Sequence, residues 1–308
     1  MFFVFLLYAL FASIFTIAKT GLEYSSPFFF VGSRMVLAGF LLLGYQYLFH
    51  PKSFQIKSKD GWLFLKLALF NIYLTNVFEF WGLQYLTSFK TCFIYSLSPF
   101  ASALLSFFIF REKMSAKKWS GLLLGFAGIM PVLLAQTTAE ERGGQFFMFS
   151  WAELAVMAAA LCSVYGWILL KQAVNDAGHS PLFANGVSML LGGTFALGHS
   201  YCTESWHPVP VTEFWPFALC ALLLIIVSNL ISYNMYGWLL KRFSPTFMSF
   251  AGLSTPLFSA LFGFVFLSEQ IEWPFYVSLT VVSFGLLLFY QEELAPKLLP
   301  KTKASGIS

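Results

Sequence analysis

Long apolar runs separated by short polar connections extend along the whole chain. A helix that crosses the hydrocarbon of a bilayer needs roughly 20 predominantly apolar residues, and runs of that length recur throughout the sequence. These runs do not alternate in polarity as the strands of a membrane barrel do. The pattern predicts an all-α integral membrane protein with ten transmembrane helices, at 2–18, 28–49, 61–82, 87–110, 117–135, 150–170, 182–200, 214–237, 244–267 and 273–290.

Composition agrees with a membrane fold. Of the 308 residues, 58% are hydrophobic and only 10% are charged, whereas a soluble domain is about a quarter charged. The first apolar run, Phe2 to Ala18, has no basic segment before it, so we expect a retained span rather than a cleaved signal. We therefore expect the lipid bilayer as surroundings and no nucleic-acid partner.

The basic residues test the number of spans. Ten spans place 13 of the 18 lysines and arginines on one side of the membrane and only Lys19 and Arg142 on the other. Arg34, Lys66 and Lys90 fall within spans. Cytoplasmic loops of membrane proteins carry an excess of lysine and arginine. We therefore expect a bacterial inner-membrane protein with both termini in the cytoplasm.

An internal repeat occurs at an offset of 157 residues. The segments 98–107 and 255–264 match without a gap and include a proline at the same place in each. The same offset pairs Glu112 with Glu269. Because a gap-free register also aligns residues other than apolar ones, we interpret it as a duplication.

The repeat divides the chain into two units of five spans each. We predict a first unit at 1–136, a second at 150–291 and a cytoplasmic tail at 292–308. An odd number of spans inverts the second unit relative to the first. Inverted repeats are typical of secondary transporters, which hold their substrate between the repeats near the midplane.

Polar residues inside the spans are the candidates for substrate binding. Thr75, Asn76 and Glu79 share one face of the third span, which lies either at a cavity or at the membrane interface. The repeat aligns them with polar residues of the eighth span, which indicates a shared cavity. The candidate substrate-binding residues are Arg34, Thr75, Asn76, Glu79, Tyr95, Ser98, Tyr165, Asn229, Ser232, Tyr233 and Tyr236. Tyr165 and Trp167 of the sixth span can add aromatic surface.

Other residues inside the spans leave alternatives open. Arg34 can pair with Glu79, bind a substrate carboxylate or extend to the interface, and Lys90 is expected to extend to the interface. Pro99 and Pro256 predict kinks or freed carbonyl groups in mid-span. The GxxxG pattern at 121–125 fits packing within the chain or between two protomers of a homodimer.

Signatures of enzymes and metal sites are missing from the sequence. No GxxxxGK[ST] loop and no HExxH pattern occurs, and the four cysteines show no metal-ligand spacing. We therefore expect no enzymatic activity, no cofactor and no metal.

Several motifs match a known family. These are the segments 8–13 and 19–27, Arg34 in the second span, and, in each half, a Ser/Thr-Pro pair followed by a glutamate and a glycine-rich helix. With them the chain resembles the EamA branch of the drug/metabolite transporter superfamily. The resemblance covers almost the whole chain and implies ten helices, cytoplasmic termini and transport of a small molecule.

Within that family the chain is most similar to the S-adenosylmethionine carriers of intracellular bacteria such as chlamydiae. The resemblance implies exchange of S-adenosylmethionine for S-adenosylhomocysteine by alternating access. Glu79 would then face the sulfonium or ammonium group, and Arg34 the carboxylate. A proton-coupled exporter of amino acids or drugs is the alternative within the class. A non-transporting membrane scaffold is the alternative outside it.

Overall fold

The computed structural model describes residues 2–50, 60–110, 115–135, 143–147, 149–239, 248 and 251–298. Most of these residues are helical, and two short antiparallel strands, β1 (Gln145–Phe146) and β2 (Phe149–Ser150), lie between the two halves. The helices are α1 (Phe2–Gly21), α2 (Pro27–Phe49), α3 (Gly61–Leu83), α4 (Ser88–Tyr95), α5 (Ser98–Phe110), α6 (Ala116–Leu134), α7 (Trp151–Asp176), α8 (Pro181–Thr203), α9 (Phe214–Leu239), α10 (Thr255–Leu267) and α11 (Trp273–Leu298).

Seven of the described helices are long and apolar enough to cross a membrane: α1, α2, α3, α6, α7, α8 and α9. The apolar helices α10 and Trp273–Phe289 of α11 are shorter. A turn at 96–97 divides the predicted fourth span into α4 and α5. The start of the predicted ninth span, 244–247, lies outside the described residues, and α11 continues past its predicted end at 290. A helical membrane protein with several spans is therefore confirmed.

Helices begin at the motifs that the sequence marks as breakers. Pro181 is the first residue of α8, where its missing N–H has no partner to lose. The preceding Ser180 hydroxyl accepts a hydrogen bond from the Phe183 N–H at 3.1 Å. Ser150 and Glu153 form a reciprocal capping box at the start of α7, with hydrogen bonds of 2.7 and 3.1 Å.

Two helices contain a π-helical segment near their middle. It covers Ala68–Leu74 in α3 and Ile225–Ser232 in α9, so the two segments begin 157 residues apart. In each helix a hydroxyl, from Thr75 or Ser232, donates to the carbonyl oxygen five residues earlier at 2.7 Å. These hydroxyls satisfy backbone carbonyls that the wider turn separates from their usual partners.

Two further helices are interrupted just before a proline. Pro99 is the second residue of α5, after the turn at 96–97, and Pro256 is the second residue of α10, after a 3-10 turn at Gly252–Ser254. In the first turn of a helix, proline breaks no hydrogen bond. The predicted kink at Pro99 is therefore a break between α4 and α5, and a 3-10 turn stands at the matching place before Pro256.

Helix packing is symmetric between the two halves: the main helix contacts have counterparts between the equivalent helices. Helix α2 packs on α8, and α6 packs on α11. Helix α1 contacts α9 and α10, while α7 contacts α3 and the pair α4 and α5. Each contact of α1 with the second half thus has a counterpart in a contact of α7 with the first half.

Glycines allow two of these helix pairs to approach closely. A Cβ atom on Gly39 would lie 2.7 Å from the Leu190 backbone nitrogen of α8. A Cβ on Gly121 would lie 2.7 Å from the Gly285 carbonyl oxygen of α11. The GxxxG pattern at 121–125 therefore serves packing within the chain, in line with the role of small residues between membrane helices.

Polar contacts hold helices together at one end of the bundle, here called the distal end, where α1 ends. The Lys19 ammonium donates to the carbonyl oxygens of Leu83 and Leu86, both at 2.7 Å, beyond the last turn of α3. The Glu269 carboxylate accepts from the backbone N–H and the hydroxyl of Ser88, at 2.8 and 2.7 Å. The first turn of α4 is thereby anchored to the second half.

Two more carboxylates act at the distal end. Glu204 accepts from the backbone N–H groups of Phe28 and Phe29, at 2.8 and 2.9 Å, in the first turn of α2. Lys90 forms an ion pair with Glu153 at 2.8 Å, and both side chains are buried. The prediction that Lys90 extends to the interface is wrong, because a carboxylate from the other half meets it inside the protein.

Candidate functional site

A cavity of about 230 Å³ lies between α1, α3, α4, α5, α7, α9 and the start of α10. Both halves contribute to its wall, which is mostly apolar and aromatic with a few polar groups. Such a composition is usual for small-molecule sites. The described lining residues are Tyr8, Phe11, Ile14, Phe15, Arg34, Thr75, Asn76, Glu79, Cys92, Tyr95, Ser96, Ser98, Pro99, Ser102, Ser163, Val164, Trp167, Ile168, Lys171, Ser228, Tyr233, Tyr236, Gly252 and Thr255.

Glu79 supplies the only carboxylate among the described lining residues. Its side chain is buried, and one oxygen accepts a hydrogen bond from the Tyr95 hydroxyl at 2.7 Å. Of the two positions open for Glu79, the structure therefore has the cavity and not the membrane interface. A negative charge here would attract a cationic ligand, because the apolar wall screens it weakly.

Arg34 extends from α2 to the same cavity and is 1% exposed. Its guanidinium donates to the amide oxygens of Asn76, at 2.7 Å, and Asn229, at 3.3 Å. It also lies 4.6 Å from the centre of the Phe80 ring. Among the described residues no carboxylate is at ion-pair distance from it. Arg34 therefore neither extends to the interface nor forms a direct ion pair with Glu79.

Aromatic rings form one wall of the cavity. The Trp167 ring lies 4.3 Å from that of Tyr236 and 5.2 Å from that of Tyr233, measured between centroids. Tyr165 was expected to add aromatic surface, but its ring packs edge-on against Phe70 at 4.9 Å and is not in the cavity lining. The aromatic surface of α7 therefore comes from Trp167.

The remaining predicted residues divide into two groups. Thr75 and Ser98 line the cavity, but each hydroxyl donates to a backbone carbonyl of its own segment. Neither Asn229 nor Ser232 is in the cavity lining. Asn229 accepts a hydrogen bond from Arg34, and Ser232 donates one to a backbone carbonyl oxygen within α9. Asn229 thus contacts another candidate residue, whereas Ser232 supports the π-helical segment.

Sequence reasoning gave too little weight to one face of α7. Ser163, Trp167 and Lys171 follow each other at intervals of four residues and all line the cavity. That spacing places side chains on one face of a helix, so the signal was available. Lys171 is exposed and marks the end of the cavity away from the distal end.

The chain matches a family of transporters along most of its length. The model of the EamA-like transporter family matches residues 1–134 and 150–291. Among solved structures, one crystal structure superposes with a TM-score of 0.64 over 97% of both chains. Its sequence is only 17% identical, so this likeness concerns the fold alone.

Relatives with names include two from chlamydiae. A protein of Chlamydia muridarum called S-adenosylmethionine/S-adenosylhomocysteine transporter is 38% identical over 95% of this chain and 92% of its own. A protein of the same name from Chlamydia trachomatis serovar L2 is 37% identical over 95% of this chain and 89% of its own. The WAT1-related chloroplastic protein At3g02690 of Arabidopsis thaliana is 26% identical over 82% of this chain and 60% of its own. The chain therefore belongs to the EamA-like transporter family.

Proposed function

We propose that this protein exchanges S-adenosylmethionine for S-adenosylhomocysteine by alternating access across a bacterial inner membrane. The observation that carries the proposal is the cavity with one carboxylate, one guanidinium and an aromatic wall. The names of the two chlamydial relatives give the substrate. Exchange of internal S-adenosylhomocysteine for external S-adenosylmethionine needs no further energy source as long as the concentration gradients of the two compounds persist.

The chemistry of the substrate matches the groups in the cavity. S-adenosylmethionine carries a sulfonium, an ammonium, a carboxylate and an adenine ring. Glu79 would face the cationic groups and Arg34 the carboxylate. The rings of Trp167 and Tyr236 would stack on the adenine and contact the sulfonium through their faces. Tyr95 would hold the Glu79 carboxylate towards the ligand.

The architecture that we propose has ten membrane spans in two inverted units, 1–136 and 150–291, and a cytoplasmic tail at 292–308. Three features support it. The π-helical segments of α3 and α9 share one register, the breaks before Pro99 and Pro256 match, and helix contacts persist when the halves are exchanged. The fourth predicted span is divided into the short helices α4 and α5. This division is one reason why the described residues contain fewer long helices than the ten proposed spans.

The unequal ends of the bundle support alternating access. At the distal end, Ser88, Phe28 and Lys90 contact the second half, and we infer that these contacts close the path to the cavity. In the other direction the lining reaches exposed Lys171. The distribution of basic residues assigns this second end to the cytoplasm. In the proposed cycle the structure thus corresponds to the inward-facing state, and both termini are cytoplasmic.

Exchange in proteoliposomes tests the proposal. Vesicles loaded with S-adenosylhomocysteine should take up labelled S-adenosylmethionine faster than empty vesicles. Glu79→Gln should lower kcat/KM by about tenfold or more, because a buried charge partner is lost. The exposed Glu23 offers a matched control, since Glu23→Gln changes the same group outside the cavity.

Two results would overturn the proposal. Uptake that does not respond to internal S-adenosylhomocysteine would exclude exchange. Export of an amino acid or drug that depends on a pH gradient, with no uptake of S-adenosylmethionine, would favour the proton-coupled exporter. Glu79 could then serve as the proton carrier, because it is the only carboxylate among the described lining residues.

A further inference from the structure

The two amide groups that hold Arg34 come from different halves of the chain. We propose that Asn76 and Asn229 are positioning residues that present Arg34 as an unneutralised cation to the carboxylate of the substrate. They would thereby make the transporter selective for ligands that carry a carboxylate. This inference rests on the function proposed above and specifies how the site recognises one end of the ligand.

The orientation of both amides is fixed by their second hydrogen bonds. The Asn76 nitrogen donates to the Ile72 carbonyl oxygen at 2.8 Å, and the Asn229 nitrogen donates to the Met35 sulfur at 3.0 Å. Because each amide nitrogen already donates a hydrogen bond elsewhere, the amide oxygens of both asparagines face the guanidinium. Both asparagines and Arg34 are buried, so solvent does not compete for these contacts.

The two amides stabilise the guanidinium but do not cancel its charge. A buried cation needs compensation, and dipoles supply only part of it. The Phe80 ring face contributes a further partial compensation. The Arg34 Nε has no hydrogen-bond partner among the described residues, so donor capacity remains. The carboxylate of Glu79 is bound by Tyr95 instead.

A carboxylic ligand would therefore find a cation that no side-chain carboxylate of the described residues has neutralised. An aspartate at position 76 would change this with a side chain of nearly the same shape, at the loss of the hydrogen bond that the Asn76 nitrogen donates to Ile72. Its carboxylate would stand 2.7 Å from the guanidinium nitrogen, where the amide oxygen now lies, and would form the ion pair within the protein. Arg34 would keep its place but lose its attraction for the ligand.

The test compares two ligands that differ in one group. Decarboxylated S-adenosylmethionine keeps the adenosine, the sulfonium and the amine but lacks the carboxylate. Wild-type protein should prefer S-adenosylmethionine by about tenfold to a hundredfold in kcat/KM, the range expected of a charge-assisted contact. In Asn76→Asp and in Asn229→Asp the preference should fall to within about twofold.

Asn71→Asp serves as the matched control. Asn71 is equally buried and lies on the same helix, but it makes no contact with Arg34. This variant should keep the preference of the wild-type protein. Asn76→Ser removes one amide without adding a charge, so it should weaken binding of S-adenosylmethionine more than binding of the decarboxylated ligand. If an aspartate variant does not fold, the comparison of the two ligands in Asn76→Ser provides the test instead.

The outcomes separate this inference from the proposed function. If wild-type protein moves neither ligand, the proposed function fails and the inference with it. If wild-type protein moves S-adenosylmethionine without preferring it, the function stands and the role of Arg34 is refuted. Equal losses for both ligands in Asn76→Ser, or an unchanged preference in the folded aspartate variants, would reduce the asparagines to structural roles.

Discussion

The ion pair between Lys90 and Glu153 gives a prediction about stability that can be worked out in detail. The ammonium and carboxylate are 2.8 Å apart, with 3% and 0% exposure of their side chains. The other carboxylate oxygen of Glu153 accepts the Ser150 N–H at 2.7 Å. Glu153→Gln removes the charge but can keep this capping contact, so it isolates the ion pair from the cap.

Removing one partner of a buried ion pair typically costs about 3–5 kcal/mol, because the other charge is left uncompensated. Loss of a helix cap costs only about 1 kcal/mol, and the glutamine avoids it. Glu153→Gln and Lys90→Met should therefore each destabilise the protein by about 3 kcal/mol. Replacing both charges removes the uncompensated one, so the double variant should recover most of the loss.

The measurement is a double-mutant cycle of unfolding in a fixed mixture of lipid and detergent. Hydrogen bonds between membrane helices contribute on average about 0.6 kcal/mol, so a coupling above about 2 kcal/mol would identify an ion pair. Lys66→Met, at a half-buried lysine of α3, is the control and should change stability by less than about 0.5 kcal/mol. A double variant as unstable as the two single changes added together would refute the reasoning.

Three other changes test separate contacts. Tyr95→Phe removes the hydroxyl that binds Glu79 at 2.7 Å; we expect the KM for S-adenosylmethionine to rise by about fivefold, since a hydrogen bond contributes roughly 1 kcal/mol. Glu269→Gln weakens the anchor at Ser88, and the distal end should open more often, as measured by labelling of cavity cysteines with an impermeant thiol reagent from that side. Gly121→Val should lower the thermal stability by several degrees because its side chain would meet α11.

Each of these three has a result that would contradict it. An unchanged KM in Tyr95→Phe would mean that the Glu79 carboxylate needs no orientation. Unchanged labelling in Glu269→Gln, with Cys92 as the reporter in the cavity wall, would mean that this contact does not hold the distal end closed. Gly44 has open space around it, and Gly44→Val should be tolerated; equal effects at both glycines would argue against close packing as the cause.

Several membrane-spanning helices could be predicted from the sequence, since each span needs a run of apolar residues. The interruptions within the helices could not be predicted from the sequence. The turn at 96–97 and the π-helical segment Ala68–Leu74 lie in predominantly apolar runs, in which Ser96 and Asn71 are polar. Hydropathy does not show which backbone carbonyl accepts a hydrogen bond from a hydroxyl, as the Phe70 carbonyl does from Thr75.

Residues of the cavity wall were predicted where a polar side chain stood out against an apolar helix, as Glu79 and Arg34 do. Tyr165 and Trp167 were both expected to add aromatic surface, but they are two residues apart and therefore point in different directions from the helix. Tyr165 packs on Phe70 of α3, and Trp167 lines the cavity. The partner of Lys90 likewise comes from the other half, beyond the reach of any local pattern.

The π-helical segments have a consequence for how the two halves came to match. Each residue advances an α-helix by about 100°, so the wide turn sets the rotational phase of everything that follows it, including Glu79. Loss of one residue from Ala68–Leu74 would turn Glu79 out of the cavity while the first turns of α3 stayed in place. The two segments begin 157 residues apart, which is also the offset of the repeat that follows them in each half. In the proposed duplication, this agreement is what a wide turn of the single ancestral unit would leave in both copies, each with the same phase.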